Sequence, residues 1–308
     1  MKGLKLSEDY FIQHGIPLLN RPFAQFSDKI AAGLAGAGSE CFGMDDELSQ
    51  DHDWGPGFSF WLKEQDYKEF GQSLQCAYDE LPSVYRGFGP RKASPGEEWR
   101  VGVTTIKNFF IRLTGTGSPP ASHQDWLRIP EHGLAAAING KIFVDPLGDF
   151  TTWRRKIEAY YPEDVRLRKL SSRCISIGQS GQYNFLRSSR REDIFGALFA
   201  LTQFCDDTLS MVFLLNHTFA PYYKLRHRAA VQLPILGEEI YEVVTLILNT
   251  TEVRKQVMSI EKICKSLIGE LRSQRLTDSS SDFLLDHAKS VHDRISDTTL
   301  KASHAIVP

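Results

Sequence analysis

"GAGSECFGMDDELSQDHDWGPGFSFWL", Gly36 to Leu62, is the stretch on which the fold turns. It places six carboxylates in the fourteen residues Glu40 to Asp53, contains a Gly-Ser pair and closes on an apolar, aromatic run. In that run Phe58, Phe60 and Leu62 alternate with Ser59 and Trp61, the period of a strand. Taking Asp51 and Asp53 as the entry to this strand sets both carboxylates on one face and His52 on the other, because side chains two apart project together. Two carboxylates so placed repel unless a cation lies between them, and their oxygens select a hard divalent ion, Mg²⁺ or Mn²⁺. Gly38 lets a phosphate approach the backbone, and a helical turn beginning at Ser39 would offer that anion its N–H groups and hydroxyl. Asp45, Asp46 and Glu47 read as a solvated turn, with Asp46 able to cap the Ser49 region, and His52 as a packing or hydrogen-bonding residue.

Upstream, Ser7 followed by acids predicts a capped helix running to about Leu19. The small, apolar residues Ile30 to Ala37 predict a strand packed tightly on a neighbour. Downstream come a helix ended by Pro82, the loop "YRGFGPRKASPGEE", and a β-branched strand from Val101 to Ile106 that turns helical by Asn108. A helix closed by Gly140 and the extended piece "KIFVDPLG" follow. This alternation is that of an α+β layer, a mixed sheet with flanking helices. From Asp149 the composition changes, and no strand is expected after about residue 150. The second half reads as an all-α bundle, giving expected domains 1–148 and 149–308. Its longest stripe has apolar residues at 194, 195, 198, 199, 201, 204, 209, 212, 213 and 215. That breadth predicts burial on one side or nearly all round, serving either a bundle core or a dimer seam.

The 308 residues carry a net charge of -2, so no global basic field advertises a long nucleic acid. Five cysteines, an odd count without C-x-x-C spacing, disfavour a disulfide framework or a structural zinc site and predict reduced thiols in a cytoplasmic setting. The N-terminus lacks the apolar core of a signal peptide, and no uncharged apolar run of eighteen residues occurs, so no membrane span is expected.

Gly38-Ser39, eleven residues, then Asp51-His52-Asp53 resembles the motif of the polymerase-beta-like nucleotidyltransferase superfamily. The longer string "GSECFGMDDELSQDHDWGPGF" is similar to a bacterial branch of it, domain of unknown function 4037. So are "DWLRIPEHGLAAAINGKIFVDPLGDFTTWRRKIEAYYPEDV" and "FLLNHTFAPYYKLRHRA", a likeness covering roughly residues 25 to 235. The resemblance implies transfer of a nucleoside monophosphate from a nucleoside triphosphate to a hydroxyl, with release of pyrophosphate. It implies that Asp51 and Asp53 hold Mg²⁺ or Mn²⁺ and that Gly38 and Ser39 hold the triphosphate. A helical domain of this kind implies a small hydroxylated acceptor, a protein side chain or an RNA end being alternatives, and a lysine, here Lys224, reaching the nucleotide. The superfamily also has a third carboxylate on a neighbouring strand. "RVGVTT" has none, Gly102 standing where an acid is expected, and Asp145 is the substitute, unless it only caps the turn "DPLG". Arg187, with Arg190 and Arg191, either binds triphosphate or begins a solvated helix. The missing acid motivates a second reading, a nucleotide-binding or regulatory module of the same fold with weakened turnover.

Overall fold

The alternation after Gly57 becomes strand β2 (Ser59–Leu62) of a four-stranded sheet, in the computed structural model, which describes residues 1–302. Its partners are β1 (Ala31–Leu34), β3 (Gly102–Thr105) and β4 (Lys141–Val144), in the order β3-β2-β1-β4. β1 runs antiparallel to both β2 and β4, and β2 runs parallel to β3, so the sheet is mixed and the class is α+β. The small residues of β1 are needed for close approach. A Cβ on Gly33 would clash with the Lys141 carbonyl of β4 and lie 2.9 Å from the Trp61 ring of β2.

Both faces of β2 are buried. Phe58, Phe60 and Leu62 join Leu6, Tyr10, Phe11, Phe70 and Leu74 in one cluster. Trp61, on the opposite face, stacks on Phe150 with ring centroids 4.0 Å apart and meets Phe109 at 5.3 Å. Each such ring withdrawn from water stabilises the unit by roughly 2–3 kcal/mol. Leu6 to Phe11 come from α1 (Gly3–Tyr10) and the wide turn Phe11–Gly15 that continues it, and α2 (Gln72–Asp79) brings Leu74. The first helix therefore begins four residues before the expected cap. Ser7 lies inside it, buried, and its hydroxyl donates to the Gly57 carbonyl. α3 (Ile106–Thr114) follows β3 directly, its first turn capped by Thr105 Oγ1 accepting from Asn108 N at 3.0 Å. α4 (Glu131–Ala137) ends before Gly140. α5 (Asp149–Glu158) belongs with the sheet because it carries Phe150.

The first compact unit comprises Met1–Ala121 and Arg128–Ala159, so it extends ten residues past the composition change at Asp149. The second comprises Ser122–Leu127 and the chain from Tyr160 on. Among its described residues there are helices and no strand: α6 (Glu163–Ile177), α7 (Ile194–Leu215), α8 (Tyr223–Ala230), α9 (Gly237–Asn249), α10 (Val253–Ser273) and α11 (His287–Asp293), with shorter pieces. α7 is its central helix. Phe204, Leu209 and Met211 to Leu215 are buried, as are Leu170, Cys174 and Ile177 of α6 and Ile260, Ile263 and Leu267 of α10. Asp207, buried on α7, is held by Arg173 at 2.9 Å, by Gln203 at 2.7 Å and by the Ser176 hydroxyl. With 22 residues α7 is long and apolar enough to cross a bilayer, yet 72% of its apolar window is buried inside the protein, as in a core helix. The expected stripe is divided: its C-terminal half is buried, whereas Ile194, Phe195, Leu198 and Phe199 stand exposed.

Candidate functional site

Strand directions decide which loops meet. Gly33 pairs with Ser59, Ser59 with Gly102 and Leu34 with Lys141. The end of β1 and the starts of β2, β3 and β4 therefore share one edge of the sheet. The segment carrying Gly38, Ser39, Asp51 and Asp53 joins β1 to β2 at that edge, and the loop 86–100 arrives there on its way to β3. The Asn139 side chain clamps the start of the segment, accepting from Gly36 N at 2.9 Å and donating to Gly36 O at 2.7 Å. Gly140 N donates to Cys41 O at 2.9 Å. Gly140 has a φ of 66°, and a Cβ there would clash with the Leu34 carbonyl.

Loop 86–100 binds both halves of the motif. Arg91 Nη2 lies 2.7 Å from Glu40 Oε1, with only 6% and 3% of these side chains exposed. Three residues further on, Ser94 N and Oγ donate to the two oxygens of Asp53 at 2.8 and 2.7 Å. Arg100 Nη1 stands 3.6 Å from Asp53, and Asp53 N donates to Lys92 O at 2.7 Å. Three residues of chain span at most about 11 Å, so Glu40, beside Ser39, and Asp53 belong to one neighbourhood. Burial opposes the charge on Asp53, but the Ser94 hydrogen bonds and then the Arg100 and Arg91 guanidinium charges outweigh it, holding its carboxyl below the usual range. Burial, and then the adjacent Glu40 charge, push the Cys41 thiol well up.

Asp51 and Asp53 are not paired on a strand. "WGPG" separates them from β2: Gly55 has a φ of 137° and Pro56 has no N–H for a ladder, so the strand starts at Ser59. Asp53 itself has a φ of 52°, a conformation Asp tolerates better than most residues. Asp51 is 65% exposed and its Oδ1 lies 2.7 Å from His52 Nδ1. It lines an open cleft of about 480 Å³ together with Gln50, Trp54, Phe88, Pro90 and Lys92. Gly38 has ordinary extended torsions (φ -69°, ψ 145°), so its lack of a side chain serves packing: a Cβ there would lie 2.5 Å from Glu40 Cδ. Ser39 begins a single 3-10 turn, Ser39–Phe42, and a second, Leu48–Gln50, leads into Asp51.

The acids around the motif divide by role. Asp46 caps Ser49, accepting from its N at 3.1 Å and Oγ at 3.0 Å. Asp45 is not solvated: it is buried and accepts from Gly3 N at 2.7 Å and Trp54 Nε1 at 3.0 Å, tying the first helix to the motif. Asp145 cannot replace the missing acid. Val144 pairs with Ala32, so β4 ends at the opposite edge of the sheet, where Asp145 Oδ2 accepts from Thr151 N at 2.7 Å near the start of α5. Gly102, with a φ of 91°, leaves the start of β3 without a carboxylate. Gln75 Oε1 accepts from Val103 N beside it at 2.7 Å. Arg187 and Lys224 belong to the helical unit. Arg187 stacks its guanidinium 4.7 Å over the Tyr183 ring and donates to the Tyr183 hydroxyl at 3.0 Å. Lys224 is exposed in the first turn of α8. The residues that sequence reasoning missed are Glu40, Arg91, Lys92, Ser94 and Arg100. Glu40 is signalled only as one of the six carboxylates of the motif, and the other four only by the basic residues of "GPRKASPGEEWR".

The donors here are carboxylate oxygens, which favour a hard cation. Among the described residues no group of three or more His, Cys, Asp or Glu side chains converges as a metal cluster. Mg²⁺ needs no such cluster, since it takes one or two protein carboxylates and fills its remaining positions with water and phosphate oxygens. Asp51, exposed beside the cleft, fits that demand. Asp53 fits it only after Ser94 gives way.

The family profile described as Domain of unknown function (DUF4037) matches residues 126–225. That span is about a third of the chain and stops short of Gly38, Ser39, Asp51 and Asp53. Among solved structures, a nucleotidyltransferase-like protein from Exiguobacterium sibiricum is similar at 12% identity and a TM-score of 0.35, over 91% of this chain and 89% of that one. A superposition that loose carries no argument about activity. No curated protein matches the chain.

Proposed function

We propose that this protein binds a nucleoside triphosphate with Mg²⁺ or Mn²⁺ at the edge formed by Gly38–Ser39 and Asp51–Asp53, and transfers the nucleoside monophosphate to a hydroxyl of a small acceptor, releasing pyrophosphate. The observation that supports it is the delivery of the Gly-Ser pair and the Asp-x-Asp to one sheet edge by two adjacent antiparallel strands, beside an open cleft. Asp51 and Asp53 are the residues that would hold the dication. When bound, the dication supplies neutralisation of charge on the phosphoryl oxygens. Lys92, lining the same cleft, places a further cation beside the polyphosphate. Ser39 and the N–H groups of its turn orient the phosphates. In the transfer, the acceptor oxygen forms a bond to the α-phosphorus, the bond from that phosphorus to the bridging oxygen breaks, and the hydroxyl proton leaves to solvent or to a carboxylate at this edge. A cytoplasmic setting belongs to the same proposal, on the odd count of cysteines without C-x-x-C spacing.

A second reading, a nucleotide-binding module with little turnover, is favoured by one observation. The start of β3 carries Gly102 in place of an acid, and Asp145 lies at the other edge. Pyrophosphate release from each labelled triphosphate, with Mg²⁺ and with Mn²⁺, separates the two. The transferase reading expects release above that of the Asp51→Ala/Asp53→Ala variant. Retained triphosphate binding without release leaves the module, and no metal-dependent nucleotide binding removes both.

A further inference from the structure

The exposed half of α7 belongs to the helical unit, and the proposed chemistry gives it no role. Ile194, Phe195, Leu198 and Phe199 are 74, 80, 58 and 63% exposed. They recur at one and four residues, the spacing of a single helix face, with the Phe195 and Phe199 rings stacked at 6.2 Å. Isolated apolar side chains on a surface need no explanation, but four large ones on two successive turns form a contiguous patch. The same helix buries its apolar residues from Ala200 on, so the exposure of large side chains is confined to its first two turns.

We propose that this face is the seam of a symmetric homodimer, α7 packing against α7 of a second copy about a two-fold axis. Three observations select a second copy. First, the four side chains expose roughly 400 Å² of apolar surface, and a two-fold contact withdraws that area twice. Homodimer interfaces are about 65% apolar, so the complete contact comes to about 1,200 Å², the lower bound for a stable specific interface. Second, the charges at the head of the stripe are of both signs: Arg190 and Arg191 immediately precede Glu192 and Asp193. A balanced rim is complementary to its own copy across a two-fold axis, whereas an anionic membrane or a partner of one sign would meet like charge. Third, the Phe195 and Phe199 rings are ordered against each other, their planes 22° apart, so an identical pair can meet them with little further loss of side-chain freedom.

Sedimentation equilibrium of the full chain from 1 to 100 µM, wild type against Phe195→Glu/Leu198→Glu, tests this. The expected result is a wild-type dimer in the micromolar range and a variant weakened at least 100-fold, chiefly monomeric at 10 µM where the wild type is chiefly dimeric, with unchanged far-UV circular dichroism. Both positions are exposed within one copy, so the fold does not depend on them; should the pair lower the helical signal, Leu198→Ser alone takes its place. A wild-type monomer at 100 µM overturns the proposal, as does a variant that dimerises like wild type. Co-sedimentation of a monomeric wild type with phosphatidylcholine vesicles, lost in the variant, would assign the face to lipid and overturn it as well.

Discussion

Replacing Asp53 by Ala should free the loop 86–100 while leaving the sheet intact. The carboxylate accepts two hydrogen bonds from Ser94, at 2.8 and 2.7 Å, and faces Arg100 at 3.6 Å. Hydrogen bonds to a charged group contribute about 1.5–3 kcal/mol each, so the lower figure for both gives about 3 kcal/mol. Ala at a φ of 52° adds roughly 1 kcal/mol of backbone strain, which Asn largely avoids. Asp53→Ala should therefore lower the free energy of loop opening by about 4 kcal/mol, close to 1,000-fold in exchange rate, and Asp53→Asn by about half that on the energy scale. The assay is amide hydrogen exchange at Ser94, whose N–H is one of the two donors. The depressed carboxyl sets the pH dependence. A group with a folded pKa below its unfolded value stabilises fully above the unfolded value, about 3.9, and loses that stabilisation as pH falls through the folded one. Protection of Ser94, corrected for intrinsic rates, should thus hold between pH 7 and 5 and decline below pH 4 in the wild type. In Asp53→Asn it should be flat. A Ser94 amide that exchanges at its intrinsic rate in the wild type, or equally fast in all three proteins, would refute the reasoning.

Two further substitutions bear on the same edge. Glu40→Gln breaks a buried pair and leaves the Arg91 guanidinium, one nitrogen of which already has no hydrogen-bond partner, without its counter-charge. Urea unfolding should show a loss of about 3–5 kcal/mol, and a loss under 1 kcal/mol would mean the pair is not desolvated. Gly38→Ala drives a methyl into the Glu40 carboxylate, which cannot swing away while Arg91 holds it. It should cost about 1–3 kcal/mol of stability, read as a lowered Tm, and an unchanged Tm would show that the turn relaxes freely.

Local patterns in the sequence carried much of the fold. The period-two run of Phe58, Phe60 and Leu62 gave β2, the small residues after Ile30 gave a tightly packed β1, and the helical stripe gave α7. What depended on distant partners was not legible. The entry of β2 lies later than the alternation alone implies, because Gly55 and Pro56 hold the chain between Asp53 and Ser59 off the ladder. The place of Asp145 depends on the direction of β4, which pairing with β1 fixes and "KIFVDPLG" does not reveal. Ser94 meets Asp53 across 41 residues, and Arg91 meets Glu40 across 51, with no periodicity to announce either contact. The stripe on α7 shows which residues are apolar but leaves a bundle core and a dimer seam open, and only the covering of its C-terminal half by the bundle separates the two ends.

On the proposed function, the edge bearing Gly38–Ser39 and Asp51–Asp53 holds a polyphosphate through a hard dication. Calorimetric titration of each common nucleoside triphosphate into the protein, with Mn²⁺ and with chelator, tests it most directly when wild type is compared with Asp51→Ala. The account predicts binding of at least one triphosphate that requires Mn²⁺ and weakens ten-fold or more in Asp51→Ala, a side chain exposed enough that its loss leaves the fold unchanged. Binding that is absent, indifferent to the metal, or equal in the two proteins would contradict it.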